Sequence, residues 1–219
     1  GPAKRETDTM DGFACSSWYF LRFADPHNNQ KPFSKDKASF WLPVDEYIGG
    51  AEHAVMHLLY ARFWTKVMYD AGLIDFNEPF KALRNQGMIL APDGRKMSKS
   101  WNNTITPDEI IEQGYGADSI RLMELFIGPW DQDANWSVEG LGGCFKFLQR
   151  VWVITQKYIE SEKSGEKHQT YNQIMSATHS AIKKVTSDIE QMSFNTAISA
   201  LMELVNQLYK IEVKNSFTA

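Results

Sequence analysis

The stretch Val44-Asp45-Glu46-Tyr47-Ile48-Gly49-Gly50, continued by Ala51-Glu52-His53-Ala54-Val55-Met56-His57-Leu58-Leu59-Tyr60-Ala61-Arg62-Phe63, decides the fold. Val44 to Ile48 reads as a short strand that ends in the turn Gly49-Gly50. The apolar positions Val55, Leu58, Leu59, Phe63 and Val67 then recur at helical spacing. They predict one helix from about Ala51 to Ala71, closed by Gly72. A strand, a glycine turn and a helix form the unit that aims helix N-terminal N–H groups at a ligand. His53 and His57, four apart, are expected on one face of this helix at its first turn.

Downstream, Gly87 to Ala91 is a second strand candidate and Pro92-Asp93-Gly94 a turn. The basic loop Arg95-Lys96-Met97-Ser98-Lys99-Ser100 follows. Thr106-Pro107-Asp108-Glu109 reads as a capping box with proline at the first helical position. A further helix is predicted from Ala117 to Phe126, stopped by Gly128-Pro129. From Ser137 three amphipathic helices are expected, with a polar loop over 160–168. Their inner faces carry Leu141, Phe145, Leu148 and Trp152, then Ile174, Ala181, Val185, Ile189 and Met192, then Ile198, Leu201, Met202, Val205, Leu208 and Tyr209. Upstream, residues 13–23 are an aromatic run compatible with helix or strand. The polar, proline-punctuated stretch 25–39 reads as a surface loop. The fold class is α/β followed by an all-α bundle, with divisions at 1–105, 106–140 and 141–219. Bundles commonly hold four helices, so the bundle is expected to be cut.

Hydrophobic residues make up 43% of the 219, enough for a packed core. The net charge of −4 argues against a compact reader of nucleic acid with a basic field over its whole surface. Cys15 and Cys144 have no metal-like spacing and fit a reducing, cytoplasmic compartment. No apolar run approaches the ~20 residues that a membrane span needs, so no membrane partner is expected.

Two patterns carry chemistry. In the loop, Lys96 and Lys99 flank Met97 and Ser98 just after a strand. Such a loop can fold over a triphosphate, where ammonium groups stabilise the charge that builds on a departing pyrophosphate. On composition alone it also reads as a solvated basic turn. His53 and His57 could ligate zinc, but no convincing third ligand is present. They also read as structural histidines, or as the polar wall of a pocket beside a glycine turn that lets a nucleotide approach.

Lys96-Met97-Ser98-Lys99-Ser100 resembles the KMSKS signature of class I aminoacyl-tRNA synthetases, before a helix opened by Gly116-Ala117-Asp118. The Gly49-Gly50-Ala51-Glu52-His53 string, with His57, resembles the leucine-specific branch. So does Glu6-Thr7-Asp8-Thr9-Met10-Asp11 with Phe13, Ser16-Ser17-Trp18-Tyr19, which resembles the return into the catalytic domain after an editing insertion. The resemblance covers nearly the whole chain from about Glu6. It implies the second half of a Rossmann-like catalytic domain, followed by the start of an anticodon-binding bundle. It places Phe13, Ser16, Tyr19, His53 and His57 around leucine and its adenylate. Glu52 is then expected near the ribose, with Gly49, Gly50 and His53 beside the nucleotide. The Met97 backbone and Ser98 would lie against ATP, and Lys96 and Lys99 at its phosphates as the catalytic pair. No metal ligands are implied, and magnesium is expected on the phosphates. The implied partners are ATP, leucine and tRNA(Leu), with a monomeric intact enzyme.

The first signature of these enzymes, of the His-x-Gly-His type, is absent, as are the editing domain and the C-terminal tRNA-binding parts. The span alone is therefore expected to be inactive. It is also expected to expose apolar surface. On composition alone, core packing is the better reading of Phe13, Trp18 and Tyr19. The competing reading is a non-catalytic tRNA-binding or regulatory relative. A valyl or isoleucyl enzyme fits the Gly-Gly-Ala-Glu-His and Ser-Ser-Trp-Tyr strings less well.

Overall fold

The computed structural model describes residues 1–9, 11–164 and 171–216. The chain divides into two compact units, Gly1–Gln86 and Gly87–Ala219.

In the first unit the aromatic run is helical, as α1 (Gly12–Ser16) and α2 (Tyr19–Ala24). The Asp11 carboxylate starts α1 by accepting from the Phe13 N–H at 2.7 Å. The loop expected over 25–39 ends early. Ser34 caps α3 (Lys35–Trp41), which buries Ala38 completely. The remaining loop is tied down by Asp25, which is only 2% exposed. Its carboxylate accepts from Lys37 Nζ at 2.6 Å, Asn28 Nδ2 at 2.7 Å and the Ser34 N–H at 3.0 Å. These donors, the Lys37 ammonium first, hold the Asp25 carboxyl at about 2. A shielded carboxylate persists only with such partners.

β1 (Val44–Gly50) forms as read, but the helix does not begin at Ala51. Ala51–Ala54 make a 3₁₀ turn, Met56 departs from helical geometry at φ −114°, ψ −76°, and α4 runs from His57 to Asp70. The cause is the missing core beneath that first turn, where Val55 stays 75% exposed. From His57 onward Leu58, Ala61, Thr65 and Met68 are buried at helical spacing, and the α-helix takes hold. Gly72, at φ 71°, follows its end. The opposite stripe of α4, Leu59 and Phe63, stays exposed.

α4 leads to β2 (Phe80–Gln86), a strand that the sequence reading does not contain. It pairs parallel with β1, Val44 opposite Phe80 and Gly50 opposite Gln86. Lys81–Asp45 at 2.6 Å and Arg84–Glu46 at 3.0 Å tie the strands through exposed side chains. Phe20, Leu21, Ala38, Leu42, Ala61, Met68 and Ile74 form the core.

In the second unit β3 (Ile89–Leu90) pairs parallel with β4 (Ala134–Asn135). Gly87 precedes β3 and donates its N–H to the Trp130 carbonyl at 2.9 Å. A Cβ there would run into the Gln132 backbone, so the position demands glycine. Gly94, at φ 77°, completes the turn before the basic loop and donates to the Ala91 carbonyl at 2.9 Å. Thr106 and Glu109 make the reciprocal capping box of α5 (Pro107–Glu112), and α6 spans Ala117–Phe126.

The helices that follow are α7 (Val138–Ser164), α8 (Tyr171–Glu190) and α9 (Phe194–Ser216). α7 continues through 160–164, where a loop was expected, while 165–168 lie outside the described residues. Its first turns bury Leu141 and Cys144 beside Ile110, Ile120, Met123 and Trp136. Trp152, expected on the inner face, is 68% exposed because the packed part of α7 lies at its start. Ile189 and Tyr209 also stay exposed, and Met192 lies beyond the end of α8. Among the described residues no helix is long and apolar enough to cross a membrane.

Candidate functional site

A cavity of about 370 Å³ opens in the first unit where α1, β1 and the start of α4 converge. Phe13 and Ser16 come from α1, Tyr47, Gly49 and Gly50 from β1, and His53 and His57 from the 3₁₀ turn and α4. Ile48, Leu58 and Leu83 complete an apolar wall. Each part follows from local structure. The Asp11 cap fixes α1, the parallel β1–β2 ladder fixes Tyr47 and the glycines, and the break at Met56 sets His57 on the first turn of α4.

His53 and His57 therefore do not share one α-helical turn. They still meet edge-on, with ring centroids 6.2 Å apart. His57 is buried and His53 exposed. Among the described residues no three His, Cys, Asp or Glu side chains gather to hold a metal ion.

A chain of polar groups runs along the wall of the cavity. Tyr47 OH lies 2.6 Å from His57 Nε2 and 2.9 Å from Tyr19 OH. Ser16 Oγ lies 3.4 Å from His57 Nδ1 and donates to the Phe13 carbonyl at 3.2 Å. Burial, then the neighbouring His53, pushes the His57 imidazolium below its ordinary range. Burial, then Tyr19, pushes the Tyr47 phenol above its own. Tyr47 also stacks on Phe80, centroids 3.8 Å apart and 12° from parallel. Tyr19 does not line the cavity and reaches it through Tyr47 and through His57, whose ring it faces at 6.3 Å between centroids. Phe13 is steadied from behind by Tyr60, 6.3 Å away and nearly parallel.

The glycine turn has an open and a covered position. A Cβ on Gly49 would meet nothing within 4 Å, while on Gly50 it would meet the exposed Glu52 carboxylate. Gln86 pins both glycines from β2. With the amide turned to satisfy both groups, its nitrogen donates to the Gly49 carbonyl at 2.9 Å and its oxygen accepts from the Gly50 N–H at 3.2 Å. Tyr47 and Gln86 escape the sequence reading. Tyr47 stands in the quoted strand with nothing to separate it from a core aromatic, and Gln86 lies in the strand that was not read.

In the second unit the basic loop is braced from below. The Met97 side chain packs against the core around Ile110, Met123 and Trp136. Asn103 spans the loop. Its Oδ1 accepts from the Ser98 N–H at 2.8 Å, and its Nδ2 donates to the Lys96 carbonyl at 3.2 Å. Ser98 and Ser100 hydroxyls meet at 2.8 Å. Arg95 lies 4.5 Å over the Trp101 ring. Lys96 and Lys99 are exposed, and among the described residues their ammonium groups meet no partner. Asn103 was not singled out either, since a lone asparagine after a turn carries no signal of its own. A larger open groove, about 820 Å³ between α8 and α9, is walled by small and amide residues and carries none of these motifs.

Residues 1–137 match the family described as tRNA synthetases class I (I, L, M and V), and 172–218 match the anticodon-binding domain of tRNA ligase. The chain belongs to the class I tRNA synthetases. The match to this family includes both the cavity and the braced loop. Among the class I synthetases, leucine–tRNA ligases resemble the chain along nearly all of its length. That of Dehalococcoides mccartyi strain 195 is 50% identical over 97% of the chain, and that of Bdellovibrio bacteriovorus is 51% identical over 97%. The chain spans about a quarter, 26%, of each of these relatives. A solved ternary complex of Agrobacterium radiobacter K84 AgnB2 LeuRS, tRNA and LeuAMS is 39% identical, with a TM-score of 0.84. It is matched over 98% of the chain and 29% of its own length. A Mycobacterium tuberculosis methionyl-tRNA synthetase bound by methionyl-adenylate shares the fold, at 18% identity and a TM-score of 0.64 over 92% of the chain and 39% of its own.

Proposed function

We propose that the chain supplies the amino-acid wall and the phosphate-side loop of a leucyl-tRNA synthetase. In the intact enzyme a leucine carboxylate oxygen attacks the α-phosphorus of ATP, the bond to the β-phosphate oxygen breaks, and pyrophosphate leaves. The 2′-hydroxyl of the terminal adenosine of tRNA(Leu) then attacks the carbonyl of leucyl-adenylate and AMP leaves. Positioning and charge stabilisation carry both steps.

The observation that carries this reading is the cavity of Phe13, Ser16, His53 and His57 beside Gly49-Gly50, on a chain half identical to leucine–tRNA ligases. Its apolar walls suit a branched aliphatic side chain. The open face at Gly49 gives a nucleotide backbone room to approach, with Gly50, Glu52 and His53 beside it. Tyr19 acts through Tyr47 and His57. Lys96 and Lys99, held out to solvent on a braced loop, act on the ATP phosphates as the catalytic pair, and the Met97 backbone and Ser98 lie against the nucleotide. Magnesium is expected on those phosphates as their counter-ion.

Leucine-dependent ATP–pyrophosphate exchange by the intact enzyme tests the proposal, run beside isoleucine and valine. Exchange driven by leucine above the other two, and collapsing in Lys99→Ala, is expected. Exchange with none of the three would return the chain to the non-catalytic relative. Exchange driven by valine or isoleucine would reassign the pocket.

A further inference from the structure

Four polar groups stand in a row along the wall of the cavity: Phe13 carbonyl, Ser16 hydroxyl, His57 imidazole and Tyr47 hydroxyl, with Tyr19 hydroxyl beyond. The direction in which their protons point can be worked out. Ser16 has one proton and two neighbours for it, the Phe13 carbonyl at 3.2 Å and His57 Nδ1 at 3.4 Å, so it can serve either tautomer of the ring. Tyr47 OH lies 2.6 Å from Nε2 and 2.9 Å from Tyr19 OH. With Tyr19 donating to Tyr47, Tyr47 to Nε2, and Ser16 accepting from Nδ1–H while it donates to the Phe13 carbonyl, every proton in the row has an acceptor. The reverse direction would leave the Tyr19 proton and the Phe13 carbonyl without partners among the described residues. Burial of the ring, at 9% exposure, keeps it neutral.

We infer that Tyr47 is a positioning residue. By donating to His57 Nε2 it fixes His57 as the neutral Nδ1–H tautomer, so that the imidazole faces the cavity with no free donor or acceptor. Both ring nitrogens are occupied by the protein, and a histidine so held serves as an apolar wall. This deepens the leucine reading and rests on it for its substrate. An uncommitted nitrogen would favour a polar side chain of the same shape, whereas a committed one leaves such a side chain unpaired. The discrimination at stake is leucine against asparagine, which is close to leucine in shape and carries an amide.

The first test reads the tautomer directly, by nitrogen NMR of the chain labelled at its five histidines, with His57 assigned by its own substitution. Nδ1–H is expected in the wild type, shifting towards Nε2–H in Tyr47→Phe, which keeps the ring that stacks on Phe80. An Nε2–H wild type, or an unchanged tautomer in the variant, overturns the inference. Should the variant fail to fold, the wild-type spectrum alone decides. The second test uses the intact enzyme. Tyr47→Phe is expected to raise the KM for leucine about fivefold, the worth of one neutral hydrogen bond, with the KM for ATP unchanged and asparagine-dependent exchange gained. A shifted tautomer with unmoved leucine kinetics would support the positioning role and sink the leucine reading of the cavity.

Discussion

In the first unit the polar groups of the cavity satisfy one another, whereas the lysines of the second unit's loop satisfy nothing among the described residues. His57 is buried between Tyr47 and Ser16, and its titration is displaced by that burial. Lys96 and Lys99 stand in water above a brace of Met97 and Asn103. On the proposed reading one region serves selection, in which a rigid wall rejects the wrong shape and polarity. On the same reading the other delivers charge: its backbone is held, and its ammonium groups are exposed to a ligand that brings negative charge. The two should therefore fail differently when cut.

The largest effect falls on the charge. Lys99→Ala removes the cation that the proposal sets to work as pyrophosphate departs. In the intact enzyme kcat for leucine-dependent exchange is expected to fall by about 10²–10³, with the KM for leucine unchanged. A rise in leucine KM at constant kcat would place Lys99 in substrate binding and erase the distinction between the two regions. Next in size is Gly87→Ala. Its Cβ meets the Gln132 backbone, which cannot move aside as a side chain would. A loss of about 1–3 kcal/mol is expected, read as a lower denaturant midpoint. Gly49→Ala, whose Cβ meets nothing, is the control and should leave that midpoint in place.

How much of this the sequence revealed depends on where the signal lives. The Thr106–Glu109 capping box and α6 are local, and they were readable to the residue. β1 was readable because Gly49-Gly50 ends it. β2 was not, because Lys81, Arg84, Asn85 and Gln86 hide a strand whose support lies in its pairing with β1. The start of α4 was misplaced because periodicity counts apolar residues whether or not a core lies beneath them, and Val55 has none. The same limit governs the site. Lys96, Lys99, His53 and His57 stand in recognisable strings. Tyr47, Gln86 and Asn103 matter only through the groups that they touch, and those contacts are made by the fold.

Asn103 sharpens the comparison at the next scale down. Its amide bridges the Lys96 carbonyl and the Ser98 N–H, so Asn103→Ala releases the loop without touching either ammonium. Exchange is expected to lose about tenfold in kcat, the value of one or two hydrogen bonds, with His57 unaffected. Asn103→Asp keeps the acceptor for Ser98, loses the donor to Lys96, and places a negative charge beside the loop. It should be no better than alanine. Recovery by aspartate would show that the Ser98 bond alone holds the loop.

The smallest effect is read in the pH dependence of stability. His57 titrates below its ordinary value, first through burial and then through His53, while the groups facing it from α1, α2 and β1 are the hydroxyls of Ser16, Tyr19 and Tyr47. Folding therefore favours the neutral ring. As pH falls through about 6.5, the unfolded chain takes up a proton that the folded chain resists. The stability gained from the neutral ring is complete above that pH and is lost progressively below it, towards the lower folded value. The urea midpoint of the chain should decline between pH 7 and pH 5, and His57→Gln should flatten the part of that decline that belongs to this site. Lys99→Ala is the control for a change in overall charge and should leave the slope as it is. An equal change in slope from both substitutions would mean that the pH response belongs to overall charge and not to the buried ring.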